Sequence, residues 1–189
     1  MSRGSADSAA VERAVAELIG ALGLDPAAEP ELRETPGRVA RMYAEILGGL
    51  APEAEPDLVT FPHRAQGGEL VAVRGIAFHS LCVHHLVPFF GRALVAYLPE
   101  ASIVGISAPA RLVDFYSRRL QLQERMGVQI ADHLERLVKP RGIAVVLEAR
   151  HLCMEMRGIR RRAMVETRVV RGELAEARWA GALRLSRRG

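Results

Sequence analysis

An α+β fold is what this sequence predicts, and three observations predict it. Along the chain the apolar period reads helix, helix, strand, strand, helix, helix, strand, strand. That order groups antiparallel hairpins around a helical pair instead of alternating strands with helices. Nearly half of the 189 residues (49%) are hydrophobic, enough for one core. No run of eighteen apolar residues breaks the pattern, so no element is expected to span a membrane.

The elements follow in order. Residues 8–22 place Val11, Val15, Leu18, Ile19 and Leu22 at helical spacing behind Ser8 as expected N-cap. Thr35 as N-cap and Pro36 at the first helical position open a second helix, which Gly48 and Gly49 stop. Residues 51–68, rich in Pro, Gly and mixed charges, read as a loop. Residues 69–76 and 92–98 read as strands, with the segment between them as their connection. Helices are expected over 108–120 and over 121–138, where Leu122, Met126, Ile130, Leu134 and Leu137 form a stripe and His133 is placed on the solvated side. Residues 143–149 form an apolar strand, with 163–170 as its antiparallel partner. The expected organisation is a helical extension over 1–50, the main α+β domain over 51–172 and a basic tail over 173–189.

Charge narrows the partners. The net charge of +4 rests on arginine, since Lys139 is the sole lysine. Guanidinium groups suit phosphates and carboxylates, so an anionic ligand is expected. Nucleic acid is not, because the arginines are dispersed and aromatic residues amount to 5%. The small, polar start carries no signal-peptide pattern, which makes the cytoplasm the expected location and free thiols or metal ligands the expected state of the two cysteines.

Those cysteines mark the candidate site. Cys82 and His85 are three apart, a spacing that lets a thiolate and an imidazole from one turn meet at a metal, and Cys153 offers a third ligand from elsewhere. Two thiolates and an imidazole favour zinc over magnesium or calcium. The alternative is that both cysteines are small buried hydrophobes. His84 and His151 adjoin the proposed ligands and suit proton transfer near neutral pH.

Five motifs together carry a resemblance: Thr35-Pro36-x-Arg38-Val39-Ala40-x-Met42-Tyr43, Cys82-x-His84-His85, Gly105-Ile106-Ser107, Gln121-x-Gln123-Glu124-Arg125 and His151-x-Cys153-Met154-x-Met156-Arg157-Gly158. In this order they resemble the zinc-dependent type I GTP cyclohydrolase family. The resemblance implies the tunnelling fold (T-fold), in which hairpins of several subunits close an oligomeric β barrel, a homo-oligomer usually built as a decamer of two stacked pentamers with active sites at subunit boundaries. It implies Zn2+ held by Cys82, His85 and Cys153, and a guanine nucleotide held by Glu124 with Gln123 beside it. The same resemblance implies that Ser107 lies near ribose and phosphates, that Arg111 and Arg157 bind phosphate, and that His84 and His151 transfer protons. The implied reaction is hydrolytic opening of the GTP imidazole ring at C8 with release of formate, then ring closure to dihydroneopterin triphosphate, a step of pterin biosynthesis and one-carbon metabolism.

Two positions depart from the family pattern. Val83 stands where a glutamate is usual, and Ala108 where a lysine usually points at the triphosphate. They keep a second reading open: a specialised paralogue acting on a modified guanine nucleotide, with an altered base or fewer phosphates, or stopping at a ring-opened product. A third reading is a non-catalytic regulatory ring.

Overall fold

The computed structural model describes residues 7–25, 27–65 and 67–185. Most of the polar start, Pro26, Gln66 and the basic end of the tail lie outside the described residues. The chain divides into two compact units, Met1–Ala54 and Glu55–Gly189.

In the first unit, α1 (Ser8–Ala21) packs against α2 (Thr35–Ile46). Both expected caps are corrected. Asp7, not Ser8, caps α1, its carboxylate accepting from the Ala10 N–H at 3.0 Å. Thr35 is already helical, and its hydroxyl donates back to Glu31 O (3.4 Å) instead of capping the N–H groups ahead of it; Pro36 is therefore second in the helix. An ion pair between Glu34 and Arg38, one turn apart at 2.6 Å, supports that end.

The second unit is organised by a mixed sheet. Its strands are β2 (Val71–Cys82), β3 (Pro88–Leu98), β5 (Leu120–Gln121), β6 (Gly142–His151) and β7 (Met164–Gly172), in spatial order β5-β2-β3-β6-β7. β2, β3, β6 and β7 pair antiparallel, and β5 joins β2 in parallel. Both expected hairpins are present, with longer strands than the periodicity outlined. A separate two-stranded sheet pairs β1 (Thr60–Pro62) with β4 (Ser102–Val104). β1 falls in the stretch read as loop, because three residues are too few to show alternation.

One residue sets the phase of β2. The register with β3 shifts between Arg74 and Ile76, where Gly75 adopts φ +71°. This is a β-bulge on the glycine that tolerates left-handed backbone. Before it, Val71 faces the main core; after it, Ile76, Phe78 and Cys82 do. Odd positions give way to even ones, and that exchange turns Cys82 toward the helices.

Those helices cover one face of the sheet. α3 (Ala108–Ser117) contributes Leu112, Val113, Phe115 and Tyr116, and α4 (Gln123–Val138) contributes Met126, Ile130, Ala131, Leu134 and Val138, all packed on Phe89, Ala93, Val95, Tyr97, Ile143, Val145 and Leu147. The opposite face buries Leu94, Ala96, Leu98, Ala144 and Val146 beneath Leu174, Leu183 and Trp179 of the tail. Double coverage explains the unbroken apolar run of β6. The tail forms short 3-10 turns at Glu173–Ala175 and Ala177–Trp179.

His133 corrects another expectation. It is buried on α4, with Nδ1 3.0 Å from the Tyr116 hydroxyl and Nε2 3.8 Å from Glu55. Its place, three residues after Ile130 and seven after Met126, lies within the apolar stripe. Burial pushes its pKa below the ordinary histidine value, with the Glu55 carboxylate pulling the other way.

Candidate metal centre

Three segments meet at one end of the sheet. The first is the tight link between β2 and β3. Cys82 O accepts from His85 N (3.3 Å) and Leu86 N (2.9 Å), so the chain makes one helical turn, and Leu86 closes it with φ +54°, letting Cys82 N donate to Val87 O at 3.0 Å. A single turn brings positions i and i+3 to one side, which places His85 over Cys82. The second segment, β5, pairs Gln121 with Cys82 and accepts from Val83 N at 3.1 Å, joining the turn to the start of α4. The third is the end of β6 with the one-turn helix α5 (Leu152–Glu155), which presents His151 and Cys153.

Cys82 Sγ, a ring nitrogen of His85 and Cys153 Sγ all lie within 4.8 Å of one another. Cys82 is buried, Cys153 half-buried and His85 exposed. Ligands of a tetrahedral zinc sit about 3.5–3.8 Å apart, so small side-chain adjustments would close the set. The donor chemistry fits as well. Burial pushes the Cys153 thiol up, the nearby Cys82 adds to that, and Arg157 opposes it. Two thiols this close resist joint ionisation, and a soft divalent cation between them removes the conflict.

The surroundings hold most of the expected residues. His84 Nδ1 lies 3.8 Å from Cys82 Sγ, and Arg157 Nη1 donates to His85 Nε2 at 3.2 Å. His151 Nε2 is 2.8 Å from Gln123 Oε1. Burial lowers the His151 pKa, while the charge of Glu124, in the first turn of α4, raises it. Ser107 and Arg111 lie elsewhere, at the start of α3, where Arg111 Nη1 donates to Asp57 O at 2.8 Å. Among the described residues, neither hydrogen-bonds nor ion-pairs with the thiol–imidazole group. Ala108 is buried at 3% exposure within the main core.

Sequence reasoning passed over several supports. Phe89 lies across from His151 in the β3–β6 register, and the rings stack with centroids 4.7 Å apart and planes at 4°. Such a stack contributes on the order of 1 kcal/mol and holds the imidazole plane. Arg150 grips Glu155 through Nε–Oε1 at 2.9 Å, bracing the helix turn that carries Cys153, and its guanidinium lies 5.6 Å from the centre of the Phe90 ring. Gln121, 1% exposed, donates to Tyr116 O and accepts from Leu122 N and Arg125 Nε, bracing the start of α4.

Comparison with known proteins gives a consistent result. A family model described as GTP cyclohydrolase I matches residues 11–184. GTP cyclohydrolase 1 of Streptomyces coelicolor is 50% identical over 176 residues, 92% of this chain and 87% of that protein. The protein of the same name from Thermobifida fusca is 47% identical over 174 residues, covering 90% and 83%. That from Hyperthermus butylicus is 48% identical over 167 residues, covering 88% and 83%.

Proposed function

This chain belongs to the GTP cyclohydrolase I family, and from that premise we infer that it is an enzyme that opens the imidazole ring of GTP at C8, releases formate and leads to dihydroneopterin triphosphate. The observation that carries the reading is the convergence of Cys82, His85 and Cys153 beside His151 and the first turn of α4. Cys82, His85 and Cys153 would hold Zn2+, which supplies a Lewis acid and brings the ionisation of a water toward neutral pH.

The side chains around it divide the remaining work. His151, its plane held by Phe89, takes and returns a proton at the reacting base, and His84, its Nδ1 3.8 Å from Cys82 Sγ, is a second proton carrier. The Glu124 carboxylate accepts N–H groups of the guanine edge, a pairing that rejects bases unable to donate there. Arg157 and Arg111 meet the phosphates and Ser107 the ribose end.

Assembly joins these groups. We propose a homo-oligomeric ring, two stacked pentamers by resemblance, in which Ser107 and Arg111 of one subunit complete the site of its neighbour. Two features support it. Among the described residues, the outer edge of β7 has no partner strand and β2 pairs on its outer side only with short β5, so edges are open at both ends of the sheet. Ile106, at 85% exposure, adjoins Ser107, and Met156 and Ile159, at 65% and 64%, flank Arg157; these apolar residues suit contact between subunits.

Incubating zinc-loaded protein with GTP tests the reading. Formate, together with a fluorescent pterin after oxidation, is expected. Formate without pterin would favour the paralogue reading, which Val83 and the buried Ala108 motivate. Neither product from any guanine nucleotide tried would sink the hydrolase.

A further inference from the structure

Gln123 is the first residue of α4 and is 2% exposed. Its amide nitrogen lies 3.0 Å from Leu147 O, 2.9 Å from Val165 O and 3.2 Å from Thr167 Oγ1. Two of these neighbours are carbonyl oxygens that can only accept, so this end of the amide has to be the nitrogen. The other end, 2.8 Å from His151 Nε2, is then the oxygen, which also only accepts. His151 Nε2 must therefore carry a hydrogen and donate it. In the neutral ring that leaves the lone pair on Nδ1.

The arrangement is over-determined. Turning the amide over would set its oxygen against two carbonyl oxygens and its nitrogen against the histidine. Turning the imidazole over would put carbon against Gln123 Oε1, while Phe89 fixes the plane in which the ring lies. The amide also ties together α4, β6 and β7, the elements that converge on the site. With both amide hydrogens engaged inside the chain and the residue 2% exposed, Gln123 has no donor left to offer a nucleotide.

We propose that Gln123 is a positioning residue that fixes His151 as the Nε2–H tautomer, so that Nδ1 is the atom that takes and returns the proton during hydrolysis. This rests on the reading of His151 as the proton-transfer residue of a GTP-hydrolysing site. It also reassigns Gln123 from substrate contact to support of the imidazole.

Two measurements on the zinc-loaded, full-length protein test it. In a two-bond proton–nitrogen correlation spectrum of histidine labelled with nitrogen-15, the signal lost in His151→Ala should show the Nε2-protonated pattern in the wild type; an Nδ1-protonated pattern overturns the proposal. Gln123→Met keeps the volume without the acceptor. It should keep its zinc, hold KM for GTP near the wild-type value and lose roughly 100-fold or more in kcat, with the His151 signal becoming a mixture of tautomers. A raised KM at unchanged kcat would return Gln123 to the substrate and overturn the proposal, as would a folded variant that keeps the wild-type kcat or loses it only in proportion to lost zinc. The wild-type spectrum decides the matter even if the variant does not fold. A wild-type protein inactive on GTP would defeat the reading of the reaction while leaving the tautomer assignment standing.

Discussion

Cys153 and His151 stand two positions apart and are predicted to fail differently. Cys153→Ala should lower metal affinity roughly 100-fold or more, because loss of a ligand exceeds the effect of losing an outer hydrogen-bond partner; competition with a chromogenic chelator reads it directly. His151→Ala should retain the metal and lose about 100-fold to 10,000-fold in kcat, and full activity in that variant would remove its assigned role. His133 gives a prediction in pH. Its folded pKa lies below the unfolded value of about 6.5, so as pH falls past that value the unfolded chain binds more protons and stability drops toward the folded pKa. His133→Gln should flatten the fall in Tm between neutral and mildly acidic pH, and an unchanged slope would assign the acid limb to other groups. The convergence of Cys82, His85 and Cys153 was legible in the sequence because a metal demands particular atoms at a spacing one turn can satisfy. Phe89 was not legible, since its role exists only through the register that puts it opposite His151. His133 was legible by position and misjudged by residue type.

Strands carry the next level of specification. Gly91 of β3 lies opposite Ala149 of β6, and a Cβ added there would fall 1.9 Å from Glu148 O and 2.6 Å from the Ala149 Cα. Backbone cannot move aside as a flexible side chain can. Gly91→Ala should therefore destabilise the protein by about 3 kcal/mol, seen as a lower denaturation midpoint, and should loosen the β3–β6 pairing that stacks Phe89 on His151. A neutral effect would show that the strands separate easily. The bulge at Gly75 explains why residues 69–76 read as a strand ending at Ile76: alternation changes phase there, although one continuous strand runs on to Cys82. Similarly, β1 and α5 are too short to express a period, and only their partners reveal them.

For the molecule as a whole, the order of helices and hairpins was readable from periodicity, whereas the spatial order β5-β2-β3-β6-β7 depends on pairings between distant segments. With Ser107 and Arg111 apart from the thiol–imidazole group, the proposed shared site predicts that turnover per subunit falls on dilution, in step with dissociation of the ring by sedimentation and before zinc is lost. A dilute monomer with full activity would refute the shared site. The open edge of β7 also bears on how the chain reaches its working state. In the proposed ring, until a neighbouring strand docks, that edge can recruit a strand in the wrong register, so productive assembly and aggregation compete for one intermediate. Glu166, Arg168 and Arg171 along β7 disfavour indiscriminate pairing. Refolding yield should consequently peak at an intermediate protein concentration, high enough for subunits to meet and low enough for the right partner to arrive first.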